Sequence, residues 1–240
     1  MTVTSVSSPH ARHALRDYLK QIVYGGNDGI VTTFAIVAGF AGAQADGVAQ
    51  IGGIAVVVFG LANLFADAVS MGLGEFLSAR SQHQLYRRHR RLTLADIDAA
   101  PAQQARRLAE MYQAQGLEAG AATQAAAAFQ EHPSLFAEQL LSYGNIGPAP
   151  ERENPAVNGG MTFLAFVIFG GLPILPYVVR EADALSFQLS CGAALLALTL
   201  LGALRGWATQ EPMARAQLET VGVGALCAGV AFFVGWLVGG

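Results

Sequence analysis

A chain of 240 residues with 53% hydrophobic and only 13% charged residues departs from soluble domains, which carry about 25% charged residues. The mean hydropathy is +0.40, and charge crowds into residues 80–155, leaving long bare stretches that read as membrane helices. A net charge of −3 gives no reason to expect a nucleic-acid partner, and no phosphate-cradling glycine loop or Ser/His/Asp set points to a soluble enzyme.

The first twenty residues are polar, with Arg12, Arg16 and Lys20 and no apolar h-region, so no cleavable signal peptide is expected. Crossing about 30 Å of hydrocarbon takes about 20 helical residues. Five segments qualify: Tyr24–Ala45, Ile51–Leu77, Gly159–Val179, Leu185–Leu204 and Val221–Val238. The first two are joined by a few residues around Asp46, which predicts a tight antiparallel hairpin. Pro173 and Pro176 predict a kinked or unwound end for the third span. Gly235-x-x-x-Gly239 permits close helix contact. Cys191 and Cys227 sit in apolar stretches and read as small buried residues, without disulfide or metal spacing.

Between spans two and three lies an insert, Ser81 to Asn158. Its start continues span two without a helix breaker. Pro101 opens an amphipathic helix with Ala105, Leu108, Met111 and Tyr112 at helical spacing. Alanine dominates Ala119–Gln130, and Pro133-Ser134 starts a helix carrying Leu135, Phe136, Leu140 and Tyr143. The glycines and prolines of Gly144–Asn158 read as the linker back to the membrane. The fold class is therefore an all-α membrane protein: five transmembrane helices with a cytoplasmic helical insert, divided at 1–80, 81–158 and 159–240.

With the N-terminus in the cytoplasm, thirteen of the fourteen Lys and Arg face that side and only Arg180 falls outside, a strong positive-inside pattern. An odd number of spans then puts the C-terminus on the opposite face. The run Arg87–Arg91 serves topology and contact with acidic lipid head groups on this reading. His83 and His89, six apart, do not share a helix face and make a poor metal pair.

Chemistry concentrates in span two. Asp67, Met71 and Glu75 lie four apart in an apolar segment, so they stack on one helical face, and Asn63 extends that stripe by a turn. An unpaired ionisable group at membrane depth costs roughly 2.5–3.5 kcal/mol or more, a cost borne for ion paths more often than for packing. The hairpin brings Asp28 of span one toward the stripe. Carboxylate and amide oxygens with one thioether, and no histidine or thiolate, point to Fe²⁺ or Mn²⁺, and carboxylates that must ionise to bind metal exchange protons for it. The bland alternatives are that Asp28 caps a helix, Met71 fills the core and Glu75 snorkels to water.

The segments GGNDGIVTTFAIVAGFAGA and FGLANLFADAVSMGLGEFLSARSQ, with GGLPILPYVV in span three, closely resemble the vacuolar iron transporter family of Fe²⁺/Mn²⁺ transporters. The resemblance covers all five spans. It implies a homodimer in a lipid membrane, an ion path between the two copies of span one, and exchange of metal for protons that moves metal out of the cytoplasm, with no cofactor because the metal is cargo. It places the family's span-one aspartate on Asp28 and its span-two methionine on Met71. Plant-type members carry a glutamate two turns before that methionine, where this chain has Asn63. Asp67 looks like the acidic residue of bacterial members, standing in for that glutamate one turn away, and the expected location is a bacterial-type inner membrane. In plant-type members the insert binds metal through glutamates and a Met-Met-x-x-Glu element. Here those positions read Thr93, Gln104, Arg107, Leu140-Leu141 and Gly144, leaving Asp96 as a retained ligand, while Glu110 matches a position without a metal role. Weak or absent metal binding by the insert follows. The expected metal set is Asp28, Asn63, Asp67, Met71 and Glu75. A Mn²⁺-selective exporter and a non-transporting membrane sensor or scaffold are the alternative readings.

Overall fold

A computed structural model describes residues 18–43, 49–144, 146–150, 154–180 and 183–239. Among these residues there are eight helices and no strand: Leu19–Gly42 (α1), Ala49–Ala99 (α2), Pro101–Ala114 (α3), Ala119–Ala128 (α4), Pro133–Tyr143 (α5), Pro155–Val179 (α6), Ala184–Thr209 (α7) and Met213–Gly239 (α8). The turn around Asp46 and the basic residues Arg12 and Arg16 lie outside the described residues.

Four helices are long and apolar enough to cross a membrane: α2 from Gly53 onward, α6, α7 and α8. The expectation of five is thus met for four. The first helix, α1, has 24 residues, but Lys20, Gln21, Asn27, Asp28, Thr32 and Thr33 dilute its apolar character. The outer surface fits lipid as solvent: Leu226 is 69% exposed and Val238 81%, on a helix whose buried side is only Ala216, Thr220 and Gly224.

The chain forms two compact units. One runs to Phe76 and resumes at Pro155; the other is Leu77–Asn154. In the first unit α1 is the central helix and packs on α6, α7 and α8. Ile22 and Ile30 of α1 meet Ala165 of α6 and Ala194, Ala197, Leu198 and Leu201 of α7 in one core. Glycine sets the closeness of α1 and α6. A methyl group on Gly29 would stand 2.5 Å from the Phe166 carbonyl oxygen, and one on Gly170 would stand 2.7 Å from the Gly29 oxygen. In lipid, where the hydrophobic effect does not drive helices together, such backbone contact supplies the van der Waals attraction instead.

Helix α6 begins at Pro155, so the linker is shorter than the expected Gly144–Asn158. Proline suits a first helical turn, because its fixed φ is helical and its missing N–H would have no partner there. The helix also continues to Val179 through Pro173 and Pro176 instead of unwinding. Ser190, fully buried on α7, donates its hydroxyl to the Pro173 carbonyl at 2.6 Å and braces this stretch. Cys191 and Cys227 are both free and half-buried.

In the second unit α2 runs on as one helix to Ala99, and α3 to α5 start where Pro101, Ala119 and Pro133 place them. Ile97, Leu108, Ala109, Ala122, Ala126, Phe136, Ala137 and Leu140 form a single apolar core. Tyr112 adds a hydrogen bond to Gln139 Oε1 at 3.0 Å and an edge-to-face contact with Tyr143 at 5.2 Å.

Candidate functional site

The sequence of α2 dictates two neighbouring stripes. Val56, Gly60, Leu64, Ala68 and Gly72, each four apart, are buried. Four of them face α6: Gly60 meets Ile174, Leu64 and Ala68 cluster with Phe166, and Gly72 approaches Gly159 backbone to backbone. One position round the helix lie Asn63, Asp67, Met71 and Glu75, all half-buried. Burial of the small and apolar stripe therefore orients the polar one along the edge of the packed surface. Met71 itself packs against the Leu64–Ala68–Phe166 cluster, so it contributes to the core as well as to the stripe.

Asp28 lies in the interior of α1, half-buried, and not at a helix terminus. The capping alternative therefore fails; Tyr18 occupies the N-cap position without a side-chain cap. The backbone oxygen of Asp28 accepts the Thr32 hydroxyl at 2.8 Å. Asp28 of α1 and Asp67 of α2 lie close enough to interact electrostatically. On α2, Asn63 Nδ2 donates to Asp67 Oδ2 at 2.6 Å. Beyond it, Asn63 lines a groove of about 450 Å³ between α1 and α2, walled by Ile36, Gly39, Phe40 and Phe59.

The other end of the stripe is tied to α1 by a residue absent from the expected set. Gln21, 4% exposed, donates through Nε2 to Glu75 Oε1 at 3.2 Å. The signal for it in the sequence is its position seven residues before Asp28, two turns back on the same face of the helix. The two cross-helix relations, Gln21 with Glu75 and Asp28 with Asp67, are in antiparallel register. They stand about 10–12 Å apart along the helices, with Met71 between them. The Gln21–Glu75 and Asp28–Asp67 relations thus mark one seam between α1 and α2, with Met71 at the level between them along α2 and Asn63 one turn beyond.

No three His, Cys, Asp or Glu among the described residues gather closely enough to cage a metal ion. In the second unit Gln104, Leu140 and Leu141 are buried, while Asp96, Arg107 and Glu110 are exposed and Thr93 is half-buried. The positions of the expected Met-Met element are core leucines.

The sequence pattern of the VIT family matches residues 19–236. A vacuolar iron transporter of Toxoplasma gondii is 32% identical over 239 residues, spanning 92% of this chain and 74% of that protein. Vacuolar iron transporter 1 of Arabidopsis thaliana is 29% identical over 219 residues, spanning 90% and 84%. The vacuolar iron transporter of Plasmodium berghei is 29% identical over 241 residues, spanning 95% and 86%. With the match running along nearly the whole chain, this protein belongs to the VIT family, as an integral membrane transporter and not an enzyme.

Proposed function

We propose that the protein exports Fe²⁺ or Mn²⁺ from the cytoplasm in exchange for protons, as a homodimer with five spans per chain. The observation that carries this reading is the seam itself: Asp28 and Asp67 within electrostatic range across two helices, with Met71 on the same stripe. Two like charges at membrane depth repel and are desolvated, and a divalent cation relieves both costs at once. When the cation leaves, a proton taken up at a carboxylate relieves the same repulsion. Metal and proton then compete for one set of oxygens, which is the thermodynamic core of exchange. The names of the relatives support iron as cargo. The oxygen-and-thioether chemistry admits Mn²⁺ equally, and a Mn²⁺-selective exporter is the nearest variant of this reading.

The transport site on this reading is Asp28, Asp67 and Met71, with Asn63 holding Asp67 and Glu75 receiving ions from the cytoplasm. α1 serves as the fifth span: its 24 residues reach about 36 Å, enough to cross the hydrocarbon. The bias of Lys and Arg supports a cytoplasmic N-terminus and an external C-terminus. The apolar insert core supports a module that folds without binding metal.

A reading as a non-transporting sensor or scaffold makes the opposite prediction in one experiment. Cells expressing the protein are challenged with toxic Mn²⁺ or Fe²⁺, beside cells expressing Asp28→Ala. An exporter protects and its variant does not, whereas a scaffold leaves the two strains alike.

A further inference from the structure

Gln21 is the most conspicuous polar side chain of the first unit that the proposed transport site does not use. It is 4% exposed, its Nε2 is spent on Glu75, and its Oε1 is buried with no hydrogen-bond partner among the described residues. A buried amide oxygen left without a donor is destabilising unless something else occupies it. The amide that carries this oxygen is held against Glu75, a carboxylate that retains a second oxygen. The pairing therefore joins a side chain with an unpartnered buried amide oxygen to an anionic carboxylate at the end of the seam, two helical turns from Asp28.

We propose that Gln21 and Glu75 form a separate binding site for the divalent cation at the mouth of the seam, with the Gln21 amide oxygen as its neutral ligand. This rests on the transport reading for the identity of the cation, and on the geometry of this pair for the site. The Nε2 hydrogen bond fixes Glu75 while leaving its other oxygen for the metal. One carboxylate and one amide give a hard, weak site with a single negative charge, and a first site must release its ion inward to be useful. From there the Met71 thioether lies between the mouth and the Asp28–Asp67 level.

Gln21→Glu separates a ligand from a mere hydrogen-bonding brace. Glutamate cannot donate to an ionised Glu75, so a brace is lost, but it adds a second carboxylate to a cation site. Mn²⁺ binding is measured by electron paramagnetic resonance on the full chain in detergent, in an Asp28→Asn, Asp67→Asn background that silences the inner carboxylates. We expect one weak Mn²⁺ in this background, lost with Gln21→Leu and tightened about tenfold with Gln21→Glu. In proteoliposomes carrying the otherwise wild-type chain, Gln21→Leu raises the Mn²⁺ KM about tenfold with little change in maximal rate. Unchanged binding and KM in Gln21→Leu, or weaker binding in Gln21→Glu, overturns the mouth site and leaves the transport reading standing. Binding that depends on Gln21 in a protein without any flux supports the mouth site and removes the transport reading. A background that binds no Mn²⁺ at all overturns the mouth site outright.

Discussion

Asn63 donates to Asp67 one turn along α2 at 2.6 Å, so one oxygen of that carboxylate is held by its own helix. A hydrogen bond to an ionised group contributes about 1.5–3 kcal/mol, which makes Asn63 a positioning residue for Asp67. If the seam is the transport site, Asp67→Asn abolishes pH-driven Fe²⁺ or Mn²⁺ flux in proteoliposomes. Asn63→Leu raises the metal KM roughly tenfold while keeping flux coupled to the gradient. Full coupled flux in Asp67→Asn would show that the stripe is structural and that Asp28 with Met71 suffices.

The α1–α6 contact yields a pair of opposite expectations. Gly29→Ala drives a methyl to within 2.5 Å of the Phe166 oxygen, against backbone that has no rotamer to move away. Overpacking of this kind costs about 1–3 kcal/mol, and the thermal midpoint in detergent falls accordingly. Gly74→Ala meets nothing within 4 Å on an exposed helical face, and exchanging glycine for alanine in a helix favours the fold by up to about 1 kcal/mol. Melting curves of the two variants moving in the same direction would contradict the packing described.

The start of α7 carries a pH-dependent cap. Asp183 accepts from the Ser186 backbone N–H at 2.7 Å and from its hydroxyl at 2.9 Å. Those two bonds, and the neighbouring Arg180 guanidinium, hold the carboxyl below its usual range. A lowered folded value means the contribution is fully present above the ordinary carboxylate pKa and fades as pH falls through the lowered one. Asp183→Ala therefore melts below the wild type near neutral pH, and the difference narrows in acid. A gap that widens in acid would refute the cap.

The insert is held by its core and not by metal. Phe136 is fully buried among Ile97, Leu108 and Leu140, so Phe136→Ala destabilises this unit by about 3–5 kcal/mol. Chelators leave the melting of the full chain unchanged, and adding Mn²⁺ produces no multi-site binding that maps to the insert. Tight binding of several ions, lost on mutation of Asp96 and Glu110, would reverse this.

Much of the site is written in the order of residues along α2. Spacings of four put Asn63, Asp67, Met71 and Glu75 on one face because a helical turn is 3.6 residues, whatever surrounds the helix. The same local rule gave the starts of α3 and α5, where Pro101 and Pro133 sit at first-turn positions. Local rules do not measure approach between elements. That α1 passes close enough for Gln21 to reach Glu75 depends on the register between α1 and α2, which no single helix encodes. The near contact at Gly29, Phe166 and Gly170 likewise depends on where two backbones meet, which a scatter of glycines along the sequence does not locate. The continuity of α6 through Pro173 and Pro176 is a tertiary matter too, since packing from a neighbouring helix, including the Ser190 hydroxyl on the Pro173 carbonyl, holds that stretch in place. Sequence alone determined which residues share a face, because periodicity is local. Tertiary structure decided which faces meet, because that is set by the fit of small residues on different helices.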